Sequence, residues 1–382
     1  MAHISDFLGM NKILKEIVMS EDESELKKHG YSLGSTLGEG SYAKVKAAFS
    51  EKLQKRVAIK IINRKRAPKD FREKFLPREL KILASIKNVN CVQMHEIIEL
   101  NNKIFIVMEH AGHGDLLEYI KLRGAIPEDR SKILFRQIVE GVDYLHKHHM
   151  AHRDLKCENL LLDNSNNIKL SDFGFSRFFD SGDMSRTFCG SAAYAAPEIL
   201  QGITYHIPLH DVWSMGVILY IMVCASMPYD DSNIKRMIRD QLERKVGFSK
   251  SKKISHECKD LIHKILEVNV KKRLQIPAIL THIWLRIDAP HSKSNELVPS
   301  SACHPMTNRE NRSRIITDLH LTPEERVIAD QGKNKDESAT RSVGLALIKR
   351  NTARSMSLRP TPSSCGCIML SLLFVRPHFA CG

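Results

Sequence analysis

The sequence predicts a bilobal α+β fold: a small β-rich lobe built around one major helix, followed by a larger helical lobe. Three observations carry this. The β-branched apolar run Val57-Ala58-Ile59-Lys60-Ile61-Ile62 reads as a buried strand and residues 104–108 as another strand, both in the first third of the chain. Between them, residues 69–86 place Phe75, Leu76, Leu80, Leu83 and Ile86 at helical spacing. From Asp115 onward the apolar pattern is helical, with strong segments at 130–148, 213–224 and 258–267. A chain of 382 residues that is 42% hydrophobic and 27% charged can fill two such lobes and still carry tails.

In chain order, residues 1–30 read as an N-terminal extension. Ile4, Phe7, Leu8, Leu14, Ile17 and Val18 sit near helical spacing and predict a short amphipathic helix over 4–18. Packing against the domain is its ordinary meaning, and a partner or membrane site the less economical one. The charged stretch 20–29 reads as a linker, and residues 31–285 as the folded domain. Beyond it, Ser, Pro, Asn and charge replace apolar periodicity. Residues 286–382 therefore read as a basic, mostly disordered tail, with 342–348 as a candidate for local order.

The formal net charge is +14. Nucleic-acid or acidic-membrane binding would suit that charge, but no nucleic-acid motif accompanies it, so a basic surface with basic tails is the simpler reading. Runs such as Arg64-Lys65-Arg66 and Lys271-Lys272-Arg273 read as solvated charge; they permit nuclear import without requiring it. The nine cysteines form neither paired CxxC motifs nor a regular framework, which argues against a zinc site or a disulfide scaffold. The first six residues lack the basic start and apolar core of a signal peptide, and Ala2 excludes N-myristoylation. The apolar run 367–375 falls well short of the about twenty residues that span a bilayer. No transmembrane segment and a reducing, cytoplasmic compartment are expected.

Leu37, Gly38, Glu39, Gly40, Ser41, Tyr42, Ala43 and Val45 lie between two strand-like stretches. Glycines there let the backbone fold over phosphates with its N–H groups free for oxygen. Ala43 replaces the third glycine of a GxGxxG pattern, and a glycine loop alone equally describes a hairpin. Lys60, about fifteen residues on and on a strand, changes the balance, because it can reach nucleotide phosphates. A strand rather than a helix after the glycines argues against a dinucleotide fold. An ammonium on an apolar strand needs an anion, and Glu79 on the 69–86 helix is the natural one. Val45, Ala58 and Leu161 would sandwich an adenine ring, while Glu109 and Ala111 would offer it backbone hydrogen bonds. Each of these five fits plain core equally well.

The run His152-Arg153-Asp154-Leu155-Lys156-Cys157-Glu158-Asn159, followed by Asp172-Phe173-Gly174, supplies a base, a cation and two metal ligands in the order required by phosphoryl transfer from ATP to a hydroxyl. Asp154 is the candidate base, Lys156 the cation that offsets charge on the transferred group, and Asn159 and Asp172 the oxygen ligands for Mg2+, with Mn2+ as an alternative. Arg153, beside the base, calls for a compensating anion. Phosphorylation of Thr187 would provide one to Arg153 and Arg177, with Ser185 and Ser191 as weaker candidates. Glu198 is expected to pair with Arg273 in a buried bridge, and Asp211 to brace the backbone of the catalytic loop.

These motifs resemble the eukaryotic protein kinase fold over residues 31–285. Lys156, together with Gly190-Ser191 before Tyr194, resembles serine/threonine rather than tyrosine kinases. More narrowly, residues 38–45 and 74–79, Thr187-Phe188-Cys189-Gly190-Ser191, Gln201-Gly202 and residues 227–235 resemble the testis-specific serine kinase family of the calcium/calmodulin-kinase-like group. Ala43 is shared with that family; Ala192 stands where its members usually have proline, and the tail matches no member. The resemblance implies ATP and Mg2+, protein Ser/Thr substrates, and activation at Thr187 by an upstream kinase or autophosphorylation. It also implies a role in sperm formation within male germ cells. Implied partners are a chaperone and the testis-specific kinase substrate protein. Asp115 and Glu158 sit where related kinases meet an arginine three residues before the target serine. Palmitoylation at Cys365 or Cys367 is a minor alternative. A pseudokinase scaffold would have lost Lys60, Asp154, Asn159 or Asp172, and all four are present; a salt-dependent nucleic-acid binder would rest on the basic runs alone.

Overall fold

The computed structural model describes residues 21–187, 189–249 and 252–286. The expected helix over 4–18, the local element at 342–348 and the readings of the tail and of Cys365 and Cys367 lie outside those residues.

The charged stretch expected to be a linker is instead a helix, α1 (Glu21–Lys28). Its first turn holds Glu21, Asp22 and Glu23 and its last Lys27 and Lys28, which suits the helix dipole at both ends. A lone apolar residue then suffices to seat it. Leu26 is fully buried in a cluster with Tyr31, Ile59 and Phe105 on the outer face of the sheet. Asp22 reaches Lys103 at 2.5 Å and Glu23 reaches Lys46 at 3.2 Å, which fastens the helix to two strands.

The small lobe is a five-stranded antiparallel sheet of order β1-β2-β3-β5-β4: β1 (Tyr31–Glu39), β2 (Ala43–Ser50), β3 (Lys55–Asn63), β4 (Met94–Leu100) and β5 (Lys103–Glu109). β3 is central, so both its faces are covered and its apolar run does not alternate with polar residues. The helix expected over 69–86 is two pieces, a π-helical turn (Phe71–Phe75) and α2 (Leu76–Ser85). Pro77 has no N–H, so a regular ladder cannot run through this point, and the chain enters α2 with proline in the first turn.

The large lobe begins with α3 (Leu116–Arg123), capped by Asp115, whose carboxylate accepts the Glu118 N–H at 2.8 Å. α4 (Glu128–Lys147) follows and buries eight of its residues, Gly141 among them, against the core. After it come four short strands, β6 (Met150–Ala151), β7 (Leu160–Leu162), β8 (Ile168–Leu170) and β9 (Arg177–Phe178), paired β6 with β9 and β7 with β8. β10 (Met184–Ser185) pairs across the segment with β11 (Tyr205–His206), and α5 (Pro197–Leu200) lies between them. α6 (Ile207–Cys224) is long and apolar enough to cross a bilayer, yet almost all of it is buried at the centre of the lobe. α7 (Ile234–Leu242), α8 (His256–Ile265) and α9 (Ile276–Leu280) complete the shell.

Candidate active site

The glycine-rich stretch is a hairpin. Gly38 pairs with Val45 and Glu39 with Lys44 across β1 and β2, and the Gly40 N–H donates to the Ala43 carbonyl at 2.8 Å. Ala43 is 5% exposed, so its methyl group is absorbed by the core beneath the loop. Ser41 is exposed at the tip, and the Tyr42 ring leans on Phe71 with centroids 4.7 Å apart. Leu37 lies on β1 just before the loop. Val45 stands opposite Lys60 in the β2–β3 register, and Ala58 opposite Met108 in β3–β5.

Lys60 is the buried cation of this lobe. Its Nζ lies 2.5 Å from Glu79 Oε1 on α2 and 3.9 Å from Asp172 Oδ1. Burial alone would push the ammonium down; the two carboxylates outweigh it and hold its pKa above the ordinary lysine value. Tyr42 feels Lys60, Glu79 and Asp172, which places its phenol at the same site; burial, its largest influence, raises its pKa.

Glu109 closes β5, where its carboxylate pairs with Lys169 at 2.6 Å and its N–H donates to the Gln93 carbonyl. Leu161 forms a bridge with Asp115, which brings β7 up to the entry of α3. Ala111 follows in the irregular connection between β5 and α3, half-buried.

Asp154 is 2% exposed and sits in a ring of donors. Its Oδ2 accepts Lys156 Nζ and Asn159 Nδ2, each at 3.1 Å, and its Oδ1 accepts Ser191 Oγ at 3.1 Å. Lys156 Nζ also donates to Ser191 Oγ at 3.2 Å. An ionised carboxylate has about four lone-pair positions. Three are taken, which leaves one on Oδ1 for a further hydroxyl. Asn159 directs its amide donor group to the Asp154 carbonyl (2.8 Å) and to the carboxylate, so its own oxygen stays available. That oxygen and the Asp172 carboxylate are hard donors of the kind a small divalent cation takes alongside phosphates. Among the described residues no group of three or more His, Cys, Asp or Glu is gathered so as to hold a metal.

Two residues here have left-handed backbones, Arg153 with φ +65° and Asp172 with φ +60°. Such a conformation costs a non-glycine residue about 1–3 kcal/mol and persists only where neighbours enforce it. For Arg153 the enforcer is Asp211, the first acidic residue of α6. Its carboxylate accepts the N–H of His152 at 2.9 Å and of Arg153 at 2.7 Å, and the His146 ring nitrogen at 2.8 Å. Burial pushes Asp211 up, but the His146 hydrogen bond and the nearby histidines prevail and hold its carboxyl at about 2. Asp211, expected to brace this backbone, contacts it directly, and His146, which the sequence did not single out, shares its carboxylate.

Gly190 closes over the same loop at φ +85°; a Cβ there would stand 2.5 Å from the Arg153 carbonyl oxygen and 3.0 Å from Asp154 Oδ1. Glu198 and Arg273 form a bidentate bridge at 2.7 and 3.0 Å, with the Arg273 side chain fully buried and its guanidinium 4.9 Å over the Trp213 ring.

The expected regulatory residues are less closely gathered. Thr187 is exposed, and no hydrogen bond joins its side chain to Arg153 or Arg177 among the described residues. Arg153 Nε donates to the Phe175 carbonyl at 2.8 Å, while Arg177 pairs with Asp183 at 3.3 Å. Arg78 on α2 feels the charges of both: burial and then these two arginines hold its pKa below the ordinary value. Three cations thus converge beside the segment, and the third was not foreseen. Ser185 is buried, and Ser191 belongs to the Asp154 ring rather than to a free loop. Asp115 and Glu158 are brought near one another. Burial raises the Asp115 pKa against the lowering effect of the Glu118 N–H bond, the Glu118 and Glu158 charges add to the rise, and Glu158 is fixed by the Tyr194 hydroxyl at 3.3 Å.

The sequence profile of the protein kinase domain matches residues 31–285. The chain is 52% identical to mouse testis-specific serine/threonine-protein kinase 1 over 310 residues, covering 80% of this chain and 82% of the relative. It is 55% identical to mouse testis-specific serine/threonine-protein kinase 2 over 281 residues, covering 72% and 78%. A serine/threonine protein kinase of rice, OSK3, is 41% identical over 261 residues, 68% of this chain and 51% of the relative. A bilobal fold, a kinase-domain match over two thirds of the sequence and these identities place the chain in the testis-specific serine/threonine-protein kinase family, and it is a serine/threonine protein kinase that binds ATP with a divalent metal and acts on protein substrates.

Proposed function

We propose that residues 31–285 transfer the γ-phosphoryl group of ATP to serine or threonine hydroxyls, with each site residue in a definite role. The observation that carries this reading is the Lys60–Glu79–Asp172 contact set, standing beside an Asp154 that has one lone-pair position left. Residues 37–43 of the glycine loop cover the phosphates, and Lys60, aimed by Glu79, meets the α- and β-phosphates. Val45, Ala58 and Leu161 enclose the adenine, whose edge meets the main chain of Glu109 and Ala111. Asn159 and Asp172 hold the metal, with Mg2+ favoured by two hard oxygens and Mn2+ tolerated. Once bound, the metal neutralises charge on the phosphates.

Asp154 accepts the proton as the substrate O–H bond breaks and the new P–O bond forms, with the bridging oxygen leaving on ADP. Lys156 offsets negative charge on the transferred group, and its contact with Ser191 Oγ keeps it beside Asp154. Asp211 positions the loop, and the Glu198–Arg273 bridge anchors the platform that receives substrate.

Thr187 is the proposed switch. Arg153 is 4% exposed, and among the described residues no carboxylate lies within ion-pairing distance of it. A phosphate on the exposed Thr187 would bring Arg153, Arg177 and Arg78 a shared anion. Either an upstream kinase or the enzyme itself would supply it. The paired acids Asp115 and Glu158 favour substrates with upstream basic residues, and Ala192 modifies the adjoining platform. By kinship the setting is spermatogenesis in male germ cells, with a cytoplasmic and in part nuclear location. A chaperone and the testis-specific kinase substrate protein are the partners that kinship suggests.

The test is ATP-dependent phosphorylation of a generic basic protein by wild type, Lys60→Met and Asp172→Ala, with the modified sites mapped. Wild type should label Ser and Thr and both variants should fall to background. Equal labelling by all three would overturn the assignment. A peptide array without preference for upstream basic residues would remove the Asp115 and Glu158 roles, and an unreduced rate for Thr187→Ala would remove the switch.

A further inference from the structure

Tyr205 lies on β11 directly opposite Ser185 in the two-residue ladder with β10. Its side chain does more than the ladder requires. The hydroxyl, on a residue 3% exposed, donates to the Thr187 carbonyl at 2.9 Å. Ser185, 5% exposed, accepts the Thr187 N–H on its Oγ at 3.1 Å. Both main-chain polar groups of Thr187 are therefore tied to buried side chains, while its own side chain faces solvent. The Tyr205 ring also meets the His210 ring edge-on, with centroids 5.9 Å apart and planes at 81°. His210 precedes Asp211, which holds the N–H groups of His152 and Arg153. A contiguous set of contacts thus runs from Thr187 to the catalytic loop without using a phosphate.

We infer that Tyr205, acting with Ser185, is a positioning residue that holds the segment around Thr187 in its substrate-accepting arrangement before Thr187 is phosphorylated. This rests on the reading of Thr187 as the switch. Neutral hydrogen bonds to a main chain are weaker than charge-assisted bonds from arginines to a phosphate. The latch therefore matters most in the unphosphorylated enzyme and becomes redundant once the phosphate binds Arg153 and Arg177. It also presents the Thr187 hydroxyl outward, where another active site can reach it.

The experiment uses the full chain, phosphatase-treated or phosphorylated on Thr187, as wild type, Tyr205→Phe and Ser185→Ala. Each variant removes one side of the latch, and each stands in for the other should one fail to fold. In the unphosphorylated form, each should lower kcat/KM for a protein substrate about fivefold, the effect of one net hydrogen bond, with KM for ATP unchanged. In the phosphorylated form, the loss should stay within about twofold, as expected when charge-assisted bonds dominate. Equal losses in both forms would mark a merely structural role and overturn the proposal, as would no loss in either. Hydrogen exchange at the Thr187 amide gives a second reading that does not depend on the switch. It should quicken in both unphosphorylated variants, and unchanged exchange would overturn the latch. Wild-type activity that does not respond to phosphorylation would instead refute Thr187 as the switch, whatever the exchange shows.

Discussion

Replacing Glu79 by glutamine tests how the buried cation is aimed. At an effective dielectric constant of about 20, the 2.5 Å contact between Lys60 and Glu79 amounts to about 7 kcal/mol of Coulomb attraction, and the 3.9 Å contact with Asp172 to about 4 kcal/mol. Were Lys60 to close on Asp172 at an ordinary 2.8 Å, that contact would rise to about 6 kcal/mol. Glu79 therefore wins while it is charged, and Asp172 keeps its freedom to bind metal. In Glu79→Gln nothing opposes closure, and returning Lys60 to its original place costs about 2 kcal/mol. Steady-state turnover with ATP should fall roughly 20- to 30-fold. Stability should fall by less than the about 3–5 kcal/mol of a fully orphaned buried charge, because Asp172 takes over as partner. The assay is initial-rate phosphorylation of a basic protein, with a denaturation curve on the same samples. A rate within about threefold of wild type, or a loss no larger than the loss of folded protein, would refute the argument.

Arg273→Leu should destabilise the chain by about 3–5 kcal/mol in urea denaturation, since it leaves Glu198 desolvated and unpaired; a loss under about 1 kcal/mol would show the bridge to be unimportant. Gly190→Ala should lower turnover about a hundredfold with ATP binding retained, because the added methyl would press on the Arg153 carbonyl and displace the base, and wild-type turnover would contradict this. His210 faces Asp211, Arg153, Asp154 and Glu198, yet burial holds its pKa down to about 4 from 6.5. A depressed folded-state value means stability present above pH 6.5 and lost as pH falls toward 4, at about 1.4 kcal/mol per unit. Asp211, held at about 2, follows the same sign below pH 3.8. His210→Phe should flatten the fall between pH 6.5 and 4 in urea titrations, and an unchanged slope would count against it.

Much of this was legible because local pattern and chemistry coincided. Lys60 announced itself as a charge on a strand too apolar to hold one, and Glu79 as the acid on the neighbouring helix; the 2.5 Å contact joins them. Glu198 and Arg273 are far apart in sequence, yet each sits in a motif that demands an opposite charge, and they met. The misreading of 20–29 has a physical cause. That stretch has a single buried apolar residue, and what holds it, the sheet face under Leu26 together with Lys46 and Lys103, lies on strands distant in sequence, which no local window contains. The helix over 69–86 was recognised but its break was not, since periodicity registers the apolar face and not the missing N–H of Pro77. Tyr205 and His146 were not legible as contributors for a related reason, and Ser191, read only as a candidate phosphorylation site, was not legible as a member of the Asp154 ring. Their hydrogen bonds go to partners that only the fold supplies.

The buried cations of the site make one further distinction. Lys60 rests against Glu79, Lys156 against Asp154 and Arg273 against Glu198. Arg153, equally withdrawn from water, has a carbonyl oxygen at its Nε and no carboxylate within ion-pairing distance among the described residues. A buried charge without a counter-charge is costly, so an anion brought from outside the resting structure would relieve it. The place for that anion is bounded. Arg177 and Arg78 add positive charge beside it, and Thr187 is exposed with its main chain held. The unpaired guanidinium is therefore an argument for regulation drawn from charge balance alone. It would fail if neutralising Arg153, as in Arg153→Gln, left the response to Thr187 phosphorylation intact.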